Sequence, residues 1–110
     1  MGQKKYPPLT PNEIVAILKA RGFRWDRNSG DHQFFSRYLN GKEHLPQVDM
    51  GVPQVSDYWL KLTITESGLS REDFYCSTKA TAKKIGMKCV SDEELASWAL
   101  SVNIKGETGD

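Results

Sequence analysis

Two glycine turns near the middle of the chain constrain its fold more than any other feature. Asn40-Gly41 is typical of a tight β-hairpin, and Ser29-Gly30 is a second turn signal upstream of it. A chain that reverses twice within so short a distance forms short antiparallel strands. Pro46 interrupts the last of these strands, which suggests an edge position or a bulge. The sequence therefore predicts a three-stranded meander formed by residues 23–28, residues 31–39 and a segment within residues 42–50.

Helices are predicted before and after the meander. Thr10, Pro11 and Glu13 supply the N-cap, the first-turn proline and the capping-box partner of a helix over residues 11–21. Residues 56–67 remain ambiguous, since their apolar alternation favours a strand whereas their flanking residues suit a helix. Cap signals predict three further helices. The first opens after Ser70, the second spans residues 79–85 and the third spans residues 92–102.

The size and composition of the chain indicate one compact domain. Its 110 residues include no apolar run of the roughly 20 residues that a membrane-spanning helix needs. The amino-terminal residues lack the apolar segment of a signal peptide, so we expect a cytoplasmic protein without membrane contacts. Cys76 and Cys89 lack zinc-site spacing, and we interpret both as ordinary thiols.

Charge is divided unevenly along the chain. Residues 1–88 contain 14 basic and 9 acidic residues, a net charge of +5, whereas residues 89–110 contain 1 basic and 5 acidic residues, a net charge of −4. A basic body is typical of nucleic-acid binding, and an acidic tail could compete for the same surface. Composition alone also fits an ordinary solvated surface of mixed charge, and it favours that reading.

The predicted hairpin combines one imidazole with several fixed positive charges. Arginine and lysine side chains suit phosphate binding, and histidine, with an ordinary pKa of about 6.5, suits proton transfer near neutral pH. His32 is therefore a candidate general base for cleaving RNA, although a lone strand histidine is more often structural or solvated. His44 is expected to be a solvated edge residue. The candidate phosphate-binding residues are Arg24, Arg27, Arg37 and Lys42.

The order of these elements, together with three motifs, resembles the HicA-type toxins of bacterial and archaeal toxin–antitoxin pairs. The similarity covers residues 9–86. The motifs are LKARGF at residues 18–23, GDH at residues 30–32 and GLSREDF at residues 68–74.

The resemblance implies an α+β fold, similar to a double-stranded-RNA-binding domain. Its order is αβββα, with a three-stranded antiparallel sheet carrying helices on one face, so residues 56–67 become a helix. The domain would span residues 9–86. A flexible arm (residues 1–8) would precede it, and an acidic helical extension with a frayed tail (residues 87–110) would follow it.

The resemblance also implies an activity, which is ribosome-independent endonucleolytic cleavage of messenger RNA without a metal or other cofactor. His32 corresponds to the catalytic histidine and Gly30 to the turn glycine. The toxin alone would be a monomer, and a HicB-like antitoxin would occlude its site. Two departures stand out. Asp31 replaces the usual serine, and residues 48–51 lack the proline and second histidine of many members.

Two other functions compete with this one. The same fold could bind RNA without cleaving it, with His32 idle, or it could be an interaction module that uses its C-terminal helix. Leu95, Trp98 and Val102 share one face of that helix. We expect this face to pack on the domain, either screening the basic surface or extending the core.

Overall fold

A computed structural model describes residues 6–107, with side chains described as far as residue 100. This part is α+β, with an antiparallel sheet of four strands and five helices. As far as it is described, no helix has the length and apolar character needed to cross a membrane. The elements in chain order are α1 (Pro11–Ala20), β1 (Arg24–Ser29), β2 (His32–Leu39), β3 (Lys42–His44), β4 (Gln47–Asp49), α2 (Asp57–Ser67), α3 (Arg71–Tyr75), α4 (Lys79–Lys84) and α5 (Asp92–Glu107).

Strand β2 is the centre of the sheet. It pairs with β1 along one edge, and on the other edge its second half pairs with β3 and its first half with β4. The predicted third strand is therefore two short strands separated at Pro46, where the sequence had suggested one strand with an edge position or a bulge. Proline has no N–H to donate, but its carbonyl still accepts a hydrogen bond from the Phe35 amide at 2.9 Å.

The two turns join the strands of the meander. Ser29 pairs with His32, so the turn residues are Gly30 and Asp31, one position later than the predicted Ser29-Gly30. Gly30 has φ +59°, a left-handed conformation that glycine adopts without strain, which agrees with its expected role as the turn glycine. The Asn40-Gly41 turn is confirmed.

Helix α1 confirms the strongest local prediction. The Thr10 side chain accepts a hydrogen bond from the Glu13 amide, and the Glu13 carboxylate accepts one from the Thr10 amide, which completes the capping box. Its last residue is Ala20, one residue before the predicted end.

Residues 57–67 form helix α2, so the choice of helix over strand is confirmed. Leu60, Thr63, Ile64 and Ser67 are its buried residues, and their spacing of three to four positions is that of one helical face. Burial of that helical face outweighs the local alternation of apolar residues, and the sequence pattern alone did not decide between helix and strand.

One face of the sheet packs against the helices. Alternation places Phe35 and Leu39 on the same face of β2, and both are buried, as is Val48 of β4. Helices α1, α2 and α3 contribute much of the rest of this core, which agrees with helices on one face, and the connecting segments add Leu9, Phe23, Val55 and Leu69. The buried apolar residues of the helices are Ile14, Ile17, Leu18, Leu60, Ile64, Phe74 and Tyr75.

The two ends of the chain are attached to this body. Of the predicted arm, residues 1–5 lie outside the described residues. Pro7 and Pro8 accept hydrogen bonds through their carbonyls, from the Tyr75 hydroxyl and the Lys84 ammonium. At the other end α5 continues to Glu107, beyond the predicted residue 102. Residues 105–110 were expected to fray, but residues 105–107 are part of the helix, and residues 108–110 lie outside the described part.

We expect Thr10→Ala to lower the free energy of unfolding by about 1 kcal/mol, because it removes the side chain that caps α1. Urea denaturation followed by circular dichroism measures this. Asn12→Ala is the matched control, since Asn12 is exposed on the same helix and should change stability by less than about 0.5 kcal/mol. Equal values for the two variants would contradict the capping argument.

Candidate functional site

His32 is the first residue of β2, immediately after the turn, and its ring is held on several sides. Its side chain is 30% exposed, so solvent reaches it. Its Nδ1 lies 2.7 Å from Oε1 of Gln47 on β4. The ring of Trp59, on α2, meets it edge-on, with centres 5.5 Å apart and planes at 86°. The imidazole is thus accessible and fixed in orientation.

A carboxylate lies beside the same ring. Asp49 pairs with His32 across β4 and β2, and its Oδ2 is 3.8 Å from Nε2 of the imidazole. Oδ1 of Asp49 accepts a hydrogen bond from the Gly51 amide at 2.9 Å, which holds the carboxylate in place. Asp31, by contrast, has its carboxylate beside Gly51. The acidic neighbour of the histidine therefore comes from β4 and not from the turn.

Sequence reasoning missed Gln47, Asp49 and Trp59. All three reach the histidine from parts of the chain that are distant in sequence. The one available signal was the alternation of β4, which places Gln47 and Asp49 on one face and Val48 on the other. Using it required the register between β2 and β4, which follows from the Asn40-Gly41 turn, because the pairing of Leu39 with Lys42 continues past Pro46 without a shift.

Helix α2 holds β4 in position. The Thr63 hydroxyl donates a hydrogen bond to the backbone carbonyl of Gln47 at 2.9 Å. The Glu66 carboxylate accepts a hydrogen bond from the Gln47 backbone amide, so both backbone groups of this residue bond to one helix. The side chain that contacts His32 therefore projects from a fixed strand.

The sheet face that carries His32 also carries two arginines. Arg24 pairs with Ser36 and Arg27 with Phe34, and cross-strand partners share a face. Residues three positions apart in a regular strand lie on opposite faces, but the register shifts between Trp25 and Arg27. This bulge adds one residue to β1 and so brings both arginines to the face of His32.

Arg27 is the nearer of the two arginines. Its partner Phe34 is two residues from His32, about 7 Å along the strand, and the partner of Arg24 is about 13 Å away. The Arg27 guanidinium carbon lies 4.6 Å from the centre of the Phe34 ring. Arg27 also pairs with Asp26, but both side chains are exposed, so this pair adds little stability and is readily exchanged for another anion.

Arg37 does not lie with the others. Alternation places it on the face of Phe35 and Leu39, where its Nη1 donates to the Gly22 carbonyl and its guanidinium lies 5.3 Å from the centre of the Trp98 ring on α5. Its Nε and Nη2 are buried, and burial lowers the pKa of Arg37 from its ordinary value. Arg37 is therefore a packed residue beneath α5, not part of the surface around His32.

Lys42 is also separate. It pairs with Leu39, seven residues along β2 from His32, or about 23 Å. Lys42 lines a cavity of about 320 Å³ together with His44 and Glu66, away from His32. His44 was expected to be a solvated edge residue, but it is half-buried, and its Nδ1 donates to the Glu66 carbonyl at 3.2 Å.

The aromatic residues of the hairpin divide between core and surface. Phe35 is buried and Phe34 half-buried, whereas Trp25 is 55% and Tyr38 59% exposed. Every residue of β1 is exposed, because this edge strand contacts the body mainly through β2. The hairpin therefore contributes Phe35 to the core and leaves the Trp25 ring on the surface.

Among the side chains that the structure describes, no three histidine, cysteine, aspartate or glutamate residues group closely enough to hold a metal ion. Cys76 is buried and Cys89 half-buried, both as free thiols, and burial raises the pKa of Cys76. Comparisons of the chain with models of known families, with curated proteins and with solved structures find no match.

We expect Glu66→Gln to become more stable relative to the wild type as the pH rises from about 4 to about 7. Burial raises the pKa of Glu66 above its ordinary value of 4.5, and the hydrogen bond from Gln47 opposes this in part. A carboxyl group with a raised pKa stabilises the fold fully below its ordinary pKa and loses that contribution as the pH passes its folded value. Urea denaturation at a series of pH values measures the difference.

The matched control is Glu93→Gln, because Glu93 is an exposed residue at the start of α5. This variant loses a negative charge near the positive end of the helix dipole, so it should change in the opposite sense and become slightly less stable relative to the wild type as the pH rises, by at most about 1 kcal/mol. A stability difference between Glu66→Gln and wild type that stays constant with pH would rule out the proposed role of burial.

Proposed function

We propose that the chain is a metal-independent endoribonuclease of the HicA type, which binds single-stranded messenger RNA and cleaves it with His32 as the general base. The observation that carries this proposal is an accessible imidazole held in a fixed orientation on an open sheet face that also carries Arg24 and Arg27. A histidine that is merely solvated on a strand would not require contacts from Gln47 and Trp59 to fix its ring.

The chemistry requires a base near a ribose and cations near the phosphates. His32 takes the proton of the 2′-hydroxyl, and the 2′ oxygen then forms a bond to the adjacent phosphorus while the bond from phosphorus to the 5′ oxygen breaks. Water supplies the proton that the leaving oxygen takes. The products are a 2′,3′-cyclic phosphate and a 5′-hydroxyl end. A well-placed general base accelerates such a step by roughly 10²–10⁴-fold.

The flanking face suits a single strand of RNA. Arg27 and Arg24 follow β1 away from His32, so a phosphate backbone lying along this strand meets both. Phe34 and Tyr38 share the face of His32 by alternation and offer surfaces on which a base can stack. Arg37 and Lys42, which the sequence suggested as further contacts, lie elsewhere and are not part of this proposed footprint.

The proposal extends to the fold and to the partner. The order α1, β1, β2, β3 with β4, and α2 is that of a double-stranded-RNA-binding domain, which supports a relationship to that fold. A HicB-like antitoxin would inhibit the enzyme by covering the face that carries His32. Substrate and inhibitor would then compete for one surface.

We expect His32→Ala to lower the cleavage rate of a single-stranded RNA roughly 10²–10⁴-fold, because the general base is lost. The measurement is the initial rate of cleavage, with the ends of the products analysed, alongside growth and RNA integrity in cells after induced expression. An oligonucleotide with 2′-deoxyribose at the cleaved position should resist the wild-type protein.

The chain's other histidine provides the control. His44→Ala should keep the cleavage rate, provided that circular dichroism shows a folded protein, because His44 is bonded to the backbone of α2. If His32→Ala cleaves as fast as wild type, catalysis by His32 is wrong. If neither protein cleaves but both bind RNA, the chain is a binding module.

We expect the double substitution of Arg24 and Arg27 by alanine to weaken RNA binding and to reduce its salt dependence. Each phosphate contact with single-stranded nucleic acid contributes a slope of about 0.7 in log affinity against log salt, so the slope should fall by about 1.4. Fluorescence anisotropy across a salt series measures it. Lys42→Ala should leave the slope unchanged, and an equal effect of both changes would exclude the proposed footprint.

A further inference from the structure

We propose that Gln47 is the positioning residue of the site, and that it holds the proton of the neutral His32 imidazole on Nδ1 so that Nε2 is the basic nitrogen. The inference deepens the proposed function and rests on it for its catalytic meaning. The arrangement of hydrogen bonds can also be tested without any measurement of activity.

The direction of the hydrogen bond follows from the groups involved. Oε1 of Gln47 is 2.7 Å from Nδ1 of His32, and an amide oxygen accepts hydrogen bonds but donates none. In the arrangement that we propose, Nδ1 carries the hydrogen and donates it to this oxygen, and in a neutral imidazole the lone pair is then on Nε2. A free imidazole exchanges its proton between both nitrogens, and this contact selects one form.

Gln47 is itself held firmly enough to make that selection. Its backbone carbonyl accepts from Thr63 and its backbone amide donates to Glu66, so helix α2 fixes the strand on which the side chain stands. Trp59, from the same helix, contacts the imidazole edge-on and limits its rotation. One helix therefore positions both the ring and the group that sets its tautomer.

Asp49 faces the nitrogen that remains free. Its Oδ2 is 3.8 Å from Nε2, too far for a hydrogen bond to the neutral ring but within the range of an ion pair. When Nε2 accepts a proton from the 2′-hydroxyl, the ring becomes a cation next to this carboxylate. Gln47 thus prepares the base before the proton moves, and Asp49 stabilises the charge afterwards.

The other groups around the ring do not compete for its proton. Its partner across β1 is Ser29, and its contact from α2 is Trp59, neither of which is charged at neutral pH. Among the described residues, Asp49 is the charged group that contacts His32. The assignment therefore rests on Gln47. A carboxylate beside Nε2 by itself favours a hydrogen on that nitrogen, but Asp49 lies beyond hydrogen-bond distance whereas Gln47 lies within it.

The experiment is nitrogen NMR on the full chain with ¹⁵N-labelled histidine, at a pH where the imidazoles are neutral. The spectrum distinguishes a ring protonated on Nδ1 from one protonated on Nε2, and His32→Ala identifies the signals. Wild type should show His32 protonated on Nδ1. Gln47→Leu removes the acceptor and should give a mixture of both forms, whereas Gln47→Glu retains an acceptor oxygen and should keep the Nδ1 form.

Gln33→Leu is the matched control. It is the same substitution on the residue next to His32, but alternation turns this side chain to the other face of β2. It should leave the tautomer unchanged. If wild type shows His32 protonated on Nε2, or if Gln47→Leu and Gln33→Leu give the same spectrum as wild type, the proposal is overturned.

Cleavage rates complete the test. Gln47→Leu should lower kcat roughly ten- to a hundredfold with little change in KM, and Gln47→Glu should restore part of it. Asp49→Asn should lower kcat while the Nδ1 form persists.

If wild type shows the Nδ1 form but cleaves no RNA, the proposed function fails and the positioning by Gln47 stands. If RNA is cleaved and Gln47→Leu retains full kcat, the positioning role fails and the proposed function stands.

Discussion

The pairing of β4 with the first half of β2 is the interaction on which the candidate site depends. The segment from Lys42 to Asp49 forms two short strands, because Pro46 has no amide hydrogen to donate, but the Pro46 carbonyl still bonds to Phe35 and the register against β2 does not shift. The second strand brings Gln47 and Asp49 to His32. Helix α2 then holds the edge of that strand through Thr63 and Glu66. Pro46 thus divides β3, which lies far from the candidate site, from β4, which forms part of it.

The sequence predicted the parts of the fold that depend on local chemistry. Helix α1 was predictable because Thr10 and Glu13 satisfy each other's backbone within one turn, and the meander because Asn40-Gly41 suits a single turn type. Helix α2 was not, because its apolar residues alternate locally and the core decides between the two patterns. His32 was predictable as a candidate by its residue type. Asp49 required the register of the Asn40-Gly41 turn to be continued past Pro46, and Trp59 depends on packing, which short sequence patterns do not encode.

Helix α5 belongs to the body more closely than its acidic composition suggested. The Trp98 ring lies 5.0 Å from the guanidinium carbon of Arg21 and 5.3 Å from that of Arg37, so one side chain covers two cations. Arg21 is nearly buried, and it donates hydrogen bonds to Ser77 and to the carbonyl of Asp73. The expectation that the face containing Trp98 packs on the domain agrees with these contacts. This packing removes Arg37 from the cations that an extended polyanion can reach.

The bulge in β1 lets the strand contain one extra residue without changing which face of the sheet the side chains on either side of it occupy. Asp26 is the additional residue, and the pairs on either side of it, Trp25 with Phe35 and Arg27 with Phe34, are consecutive on β2. A strand that lacked this one residue would keep the same partners and present the same two arginines. A homologous chain without the bulge residue could therefore present the same surface. A sequence alignment that omits the one-residue gap at the bulge would pair the arginines with the wrong positions and assign them to the wrong face of the sheet.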